Sequence, residues 1–188
     1  FDAGDASGAG EDVESWQQSL AAAVSAVRAG DGIPLILGGG HDQAFGHWIG
    51  TVRAAADGAV VGCINFDAHL DLRPIPADGP NSGTAFTQVW DWCKASSAPF
   101  RYIALGVQRL ANTSFLFTRA EQACATLVDA DGFSIDTIDV VMDAINDGVD
   151  EAEICLSVDL DVFAAGFAPG VSAPTAMGIA PDASFRRV

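Results

Sequence analysis

Positive charge is the scarcest property of this sequence. Lys94 is its only lysine, and 9 basic residues stand against 25 acidic ones, a formal net charge of −16 over 188 residues. So acidic a surface repels polyanions, which excludes nucleic acid and anionic lipid as partners. Long apolar runs are absent as well. No stretch approaches the ~20 residues that cross a bilayer, so no membrane association is expected. The start, Phe1-Asp2-Ala3-Gly4, lacks the basic-then-apolar pattern of a secretory signal, and its Phe1 implies that the native start lies elsewhere. Cysteine is sparse: Cys63, Cys93, Cys124 and Cys155 lie far apart and form no CxxC pair. Reduced, buried thiols in a cytoplasmic protein are the expectation.

What is present is a globular composition, 49% hydrophobic and 18% charged, in a length that suits a single domain over residues 1–188. After a loop at 1–10, Trp16, Leu20, Val24 and Val27 recur at helical spacing between Asp12 and Arg28, and Gly30 and Gly32 end that helix. The apolar run Ile33-Pro34-Leu35-Ile36-Leu37 predicts a strand. Phe45, Trp48, Ile49 and Val52 predict a helix to about Ala56. Further strands are expected at 59–66, 102–107, 125–128 and 154–158, and further helices at 84–95, 115–122 and 134–146. A Pro/Gly-rich loop, Arg73 to Gly83, is long enough to be functional. Alternating strands and helices imply an α/β fold with a mostly parallel sheet, whose ligands bind beyond the carboxyl ends of the strands.

Metal-ligand side chains gather at those ends. The strand at 59–66 runs into Asp67-Ala68-His69-Leu70-Asp71, the strand at 154–158 into Asp159-Leu160-Asp161, and the strand at 33–37 into Gly38-Gly39-Gly40-His41-Asp42. On a strand alternate residues point the same way, so Asp67, His69 and Asp71 are expected to face one spot just beyond its end. A lone Asp-x-Asp is a solvated turn and a lone Gly-Gly-Gly-His a loop; their recurrence at three strand ends points to a metal hydrolase. Carboxylates ~4 Å apart repel by roughly 4 kcal/mol at an effective dielectric near 20, so four of them need compensation. Two divalent cations balance four negative charges. Oxygen donors with two imidazoles and no thiolate suit Mn²⁺. His41 and Asp71 are assigned to one ion, His69 and Asp161 to the other, with Asp67 and Asp159 bridging. Asp67, His69 and Asp159 are the expected catalytic set, around a hydroxide nucleophile that two such ions generate at neutral pH.

These three motifs, Gly-Gly-Gly-His-Asp (38–42), Asp-Ala-His-Leu-Asp (67–71) and Ser-Val-Asp-Leu-Asp (157–161), resemble the signatures of the ureohydrolases. That family includes arginase, agmatinase and formimidoylglutamase. Ala168-Pro169-Gly170-Val171-Ser172-Ala173-Pro174 is similar to the family's substrate-side loop. The resemblance implies a three-layer α/β/α, arginase-like fold, two Mn²⁺ ions, a small-molecule amidine substrate and a homo-oligomer. Within the family, Asp71-Leu72-Arg73-Pro74 and Asn81-Ser82-Gly83-Thr84 look most like formimidoylglutamase, since arginases carry Asn where Arg73 stands. The resemblance makes Arg73 the clamp of a substrate carboxylate, with Asn81 and Ser82 beside the amino-acid end; the bland alternatives are an arginine anchoring its loop and a Ser82 helix cap. The implied reaction cleaves N-formimidoyl-L-glutamate to L-glutamate and formamide, a step of histidine breakdown.

The chain also departs from the family pattern. Phe86 stands where arginases place a proton-shuttling His, and Ala164-Ala165-Gly166 replaces an acidic residue and a proline after the last metal Asp. The resemblance expects a strand and loop ahead of Phe1 and a closing strand with a catalytic glutamate beyond Val188. Two alternatives follow: another guanidino or amidine hydrolase of the same fold, or a catalytically silent, truncated metal-binding homologue. His47, within a helical pattern, is read as a packed or surface residue.

Overall fold

Small residues set how closely the first two helices pack. In the computed structural model, residues 2–6, 12–134, 136–146, 152–182 and 185 are described (for Ile138, the backbone alone). Half of the loop expected at 1–10 (residues 1 and 7–10) and the chain's last three residues lie outside that set. The chain divides into two compact units, one of residues 1–61 and 71–98, the other of residues 62–70 and 99–188.

The first unit is helical. α1 (Val13–Ala29) starts at Asp12, whose Oδ1 accepts the Ser15 amide at 2.7 Å. The hydrogen bonds from Ser15 hold the Asp12 carboxyl below its ordinary range. Gln17, Leu20, Ala21 and Val24 form the buried stripe of α1, which lies against α2 (Gln43–Ala54). The crossing is tight at Gly46 and Gly50. A Cβ at Gly50 would sit 2.7 Å from both the Ala21 carbonyl and the Val24 Cβ. Only a residue without a side chain permits that approach. Buried polar groups in this layer pair with one another. The Gln17 and Gln88 carboxamides exchange hydrogen bonds at 2.9 and 3.1 Å, and Gln17 also donates to the Asp42 carbonyl at 2.8 Å. Gln88 belongs to α3 (Ala85–Ser96).

Residues 33–37 are not a strand. They form no ladder among the described residues, and Ile33, Leu35 and Leu37 are 89%, 82% and 84% exposed. The apolar, partly β-branched run suggests a strand, but a strand exists only where a neighbouring backbone takes up its hydrogen bonds.

The second unit holds the sheet, in the order β3-β2-β1-β4. β1 (Val60–Phe66) enters this unit at Gly62 and pairs in parallel with β2 (Tyr102–Val107), Cys63 opposite Tyr102 and Phe66 opposite Leu105. β2 pairs in parallel with β3 (Thr126–Asp129). β4 (Ala152–Val158) flanks β1, and α4 (Ser114–Gln122) and α5 (Thr137–Asn146) supply the connections. The core is Ile64, Phe66, Ile103, Leu105, Val141, Ile145, Val162, Phe163 and Ile179. Helix α5 starts later than the pattern suggested. Ser134 and Thr137 instead form a turn in which the Ser134 amide donates to Thr137 Oγ1 at 3.0 Å. On β4, Cys155 is buried, yet Ile154, Leu156 and Val158 on the alternate face are exposed. Cys63, Cys93 and Cys155 are buried as expected and no disulfide joins the four thiols, whereas Cys124 is exposed, at φ 55°.

Replacing Gly50 by Val is expected to cost about 1–3 kcal/mol in urea denaturation, through overpacking against a backbone carbonyl. Leu35→Ser is expected to stay within about 0.5 kcal/mol of the parent, because its side chain buries nothing. A large loss from Leu35→Ser would show that residues 33–37 are packed.

Candidate metal centre

β1 ends at Phe66, and the chain then bends instead of extending. The Asp67 amide still reaches the Leu105 carbonyl at 3.0 Å. Two residues later the ladder is over, because Asp67 Oδ1 captures the His69 amide at 2.7 Å, an aspartate turn that competes with strand pairing. Asp71 has φ 45°, in the left-handed region that aspartate tolerates better than most residues. The expected alternation of Asp67, His69 and Asp71 along a strand is therefore corrected. The grouping of Asp67 with His69 comes from a side-chain-closed bend.

In the second unit that bend meets the end of β4. The Asp159 amide donates to the Phe66 carbonyl at 2.8 Å, and Asp159 Oδ1 accepts the Asp161 amide at 3.0 Å, starting a short 3₁₀ turn at Leu160–Val162. Asp161 Oδ2 lies 3.1 Å from His69 Nδ1, and Asp67 Oδ1 lies 3.4 Å from the same nitrogen. Ligand atoms of Asp67, His69 and Asp161 all fall within 4.8 Å of one another. Asp67 is fully buried and Asp161 nearly so.

The protonation of this group follows from crowding. Hydrogen bonding to Asp161, and then to Asp67, raises the His69 pKa from its ordinary 6.5 to about 10. Burial pushes the Asp161 carboxyl up, and the Asp67 and Asp159 charges push the same way, while the His69 hydrogen bond opposes them. Three carboxylates thus share one imidazolium, which leaves negative charge uncompensated in a largely buried place. The donor set is oxygen-rich with one imidazole and no thiolate, and it fits a divalent cation of the hard or borderline kind. Such an ion would replace the His69 proton, since imidazole ligates only when neutral.

In the first unit, His41 Nδ1 lies 2.9 Å from Asp71 Oδ2, and both residues are buried. Phe86, at the N-terminal turn of α3, donates its amide to the Asp71 carbonyl at 3.3 Å and stacks its ring edge-on against His41, centroids 5.6 Å apart. The Arg73-to-Gly83 loop is closed by the Arg73 amide on the Gly83 carbonyl at 3.0 Å. Arg73 is exposed, and its side chain lies across Gly83, where a Cβ would come within 2.9 Å of Arg73 Cδ. Asn81 Oδ1 accepts the Gly83 amide at 3.0 Å, while the Asn81 amide donates to Thr84 Oγ1 at 2.9 Å. The helix-capping role considered for Ser82 therefore belongs to Asn81, and Ser82 is exposed. His47 is partly buried in α2, and burial lowers its pKa.

Sequence reading passed over Asn65, Tyr102 and Asn112, which are buried and hydrogen-bonded to the 67–70 bend. The available signal was Asn65, a polar side chain inside the apolar run Ile64-Asn65-Phe66.

Comparison with known proteins accords with this geometry. The Arginase family profile matches residues 1–186, and the chain belongs to that family. It is 39% identical over 186 residues to the formimidoylglutamase of Streptococcus gordonii, covering 97% of this chain and 56% of that protein. The formimidoylglutamase structure from Bacillus subtilis subsp. subtilis str. 168 superposes on 95% of this chain and 55% of its own, at TM-score 0.81 and 24% identity. Trypanosoma cruzi formiminoglutamase with Mn²⁺₂ gives TM-score 0.80 and 29% identity over 95% of this chain and 58% of its own. The fold is the α/β, arginase-like one expected, and the chain spans little more than half the length of these relatives.

A pH dependence follows from His69. Its folded pKa is raised, so its contribution to stability is fully present below about 6.5 and is lost as pH rises through about 10. In chelator, the urea midpoint is expected to fall between those pH values, and His69→Gln is expected to flatten that slope. An unchanged slope in His69→Gln would assign the effect elsewhere.

Proposed function

We propose that this chain carries the metal-holding part of a cytoplasmic, homo-oligomeric hydrolase that uses two Mn²⁺ ions to cleave the amidine C–N bond of N-formimidoyl-L-glutamate, giving L-glutamate and formamide. The observation that carries this reading is the set of buried Asp67 and Asp161 around half-buried His69, with Asp159 adjoining, in a chain of the Arginase family. By family resemblance His41 and Asp71, a buried pair of the first unit, are further candidate metal ligands. When bound, the ions supply a nucleophile at neutral pH and polarise the amidine carbon.

The protein's own residues have separable tasks. Asp67 and Asp159 would hold the ions through their carboxylates, and His69 would do so as the neutral imidazole. Phe86 carries no proton and instead walls His41 with an apolar ring. Arg73, exposed at the start of its loop, holds the substrate carboxylate with its planar fork. Asn81 keeps the loop shaped through its cap, and the Ser82 hydroxyl orients the amino-acid end.

Purified protein supplied with Mn²⁺ is expected to release formamide from N-formimidoyl-L-glutamate. Hydrolysis of agmatine or arginine with none of that substrate would overturn the specificity, and two bound ions without turnover of any amidine would overturn the catalytic reading. Arg73→Ala is expected to raise KM for the carboxylate-bearing substrate ~10–100-fold, the worth of one charge-assisted hydrogen bond, with kcat largely kept.

A further inference from the structure

The bend that carries His69 has left the sheet, yet its backbone is held as though a neighbouring strand were still present. The Asn112 side chain, buried in the loop between Arg109–Ala111 and α4, supplies that hold. Asn112 Oδ1 accepts the Leu70 amide at 3.0 Å, and Asn112 Nδ2 donates to the Ala68 carbonyl at 2.9 Å. These are the two peptide groups on either side of His69, engaged in the manner of a ladder partner. Nδ2 also donates to the Gln108 carbonyl at 2.9 Å, and the Gln108 amide donates to the Ala68 carbonyl at 3.0 Å, which ties the carboxamide to the end of β2.

A second brace acts from the strand side. The Tyr102 hydroxyl donates to the Leu70 carbonyl at 2.9 Å and accepts from Asn65 Nδ2 at 3.2 Å. Asn65 Nδ2 also donates to Asp67 Oδ2 at 3.2 Å, while its Oδ1 finds no donor among the described residues. The amide is thus committed to steering the carboxylate, at the expense of its own acceptor. Reversing it would set an oxygen against the Asp67 carboxylate.

We propose that Asn112, with Tyr102 and Asn65, is a positioning device that fixes the aim of His69 and Asp67 as cation ligands. The inference rests on the reading of these residues as part of a metal centre. Beyond the last backbone bond, at Ala68, the peptides of the bend are free to rotate, and a rotation about residues 69–70 redirects the His69 imidazole; the carboxamide, holding the Leu70 amide as well as the Ala68 carbonyl, removes that freedom. Groups in this relation to a ligand set its affinity for the ion, typically ~10–100-fold per partner.

The test compares Mn²⁺ binding with folding in the full chain. Asn112→Ala and Tyr102→Phe are titrated with Mn²⁺ and followed by electron paramagnetic resonance, and urea midpoints are measured in chelator. Each variant is expected to bind Mn²⁺ ~10–100-fold more weakly than the parent under conditions where circular dichroism shows it folded. Tyr102→Phe removes a single oxygen and keeps the packing, so it carries the test if Asn112→Ala does not fold. A folded variant with lowered urea midpoint but parental Mn²⁺ affinity would overturn the proposal and leave the carboxamide a stabilising role only. If the parent binds no Mn²⁺, the metal-centre reading falls and takes this inference with it; if the parent binds and both variants bind equally, the positioning role alone falls.

Discussion

Confined negative charge is the constraint on which the second unit is organised. Asp67, Asp159 and Asp161 meet where β1 and β4 end, and one imidazolium answers them. Much of the surrounding chemistry is a response to that imbalance. Backbone amides of Ala68, His69 and Asp161 point at the carboxylates, and Asn65 turns both its amide hydrogens toward acceptors there. Buried carboxylates are tolerated only with such partners or with a cation. The site is therefore costly to the protein alone, which is the usual mark of a place built for a ligand.

The bend and the sheet have divided the work. Parallel pairing carries β1 as far as Phe66, opposite Leu105, and sets the direction in which the chain leaves the sheet. From that point an aspartate turn brings the Asp67 and His69 side chains round. A bend can aim side chains more freely than a strand, whose alternation allows only two directions. The same feature explains why so many buried polar side chains lie near residues 67–70: they replace the hydrogen bonds that a neighbouring strand would have supplied.

Much of the fold was legible because periodicity reports on faces. The stripe of Trp16, Leu20 and Val24 gave α1 to within a residue or two, and the apolar runs gave β1 and β2. The motifs at 67–71 and 157–161 announced chemistry, and Asp67, His69, Asp159 and Asp161 do lie together in one unit. What failed did so for physical reasons. Strand pattern at 33–37 says that one backbone seeks a partner, and it carries no information on whether a partner is there. Alternation at 67, 69 and 71 suggested a strand because the spacing of ligands is the same in a bend closed by Asp67. Asn112 was invisible, since its role depends on backbone groups some forty residues away in sequence.

The bare segment at Ile33, Leu35 and Leu37, together with the outward face of β4, gives this chain a particular colloidal character. Both are oily, strand-like stretches of the kind that seek their own likeness in other molecules. Against them stands a charge of −16, which keeps copies apart while salt is low. The range of that repulsion shrinks to about 8 Å at physiological ionic strength and about 3 Å at 1 M. Dispersal of the isolated polypeptide is thus an electrostatic condition, and the salt content of its buffer decides whether it stays a solution or becomes a precipitate.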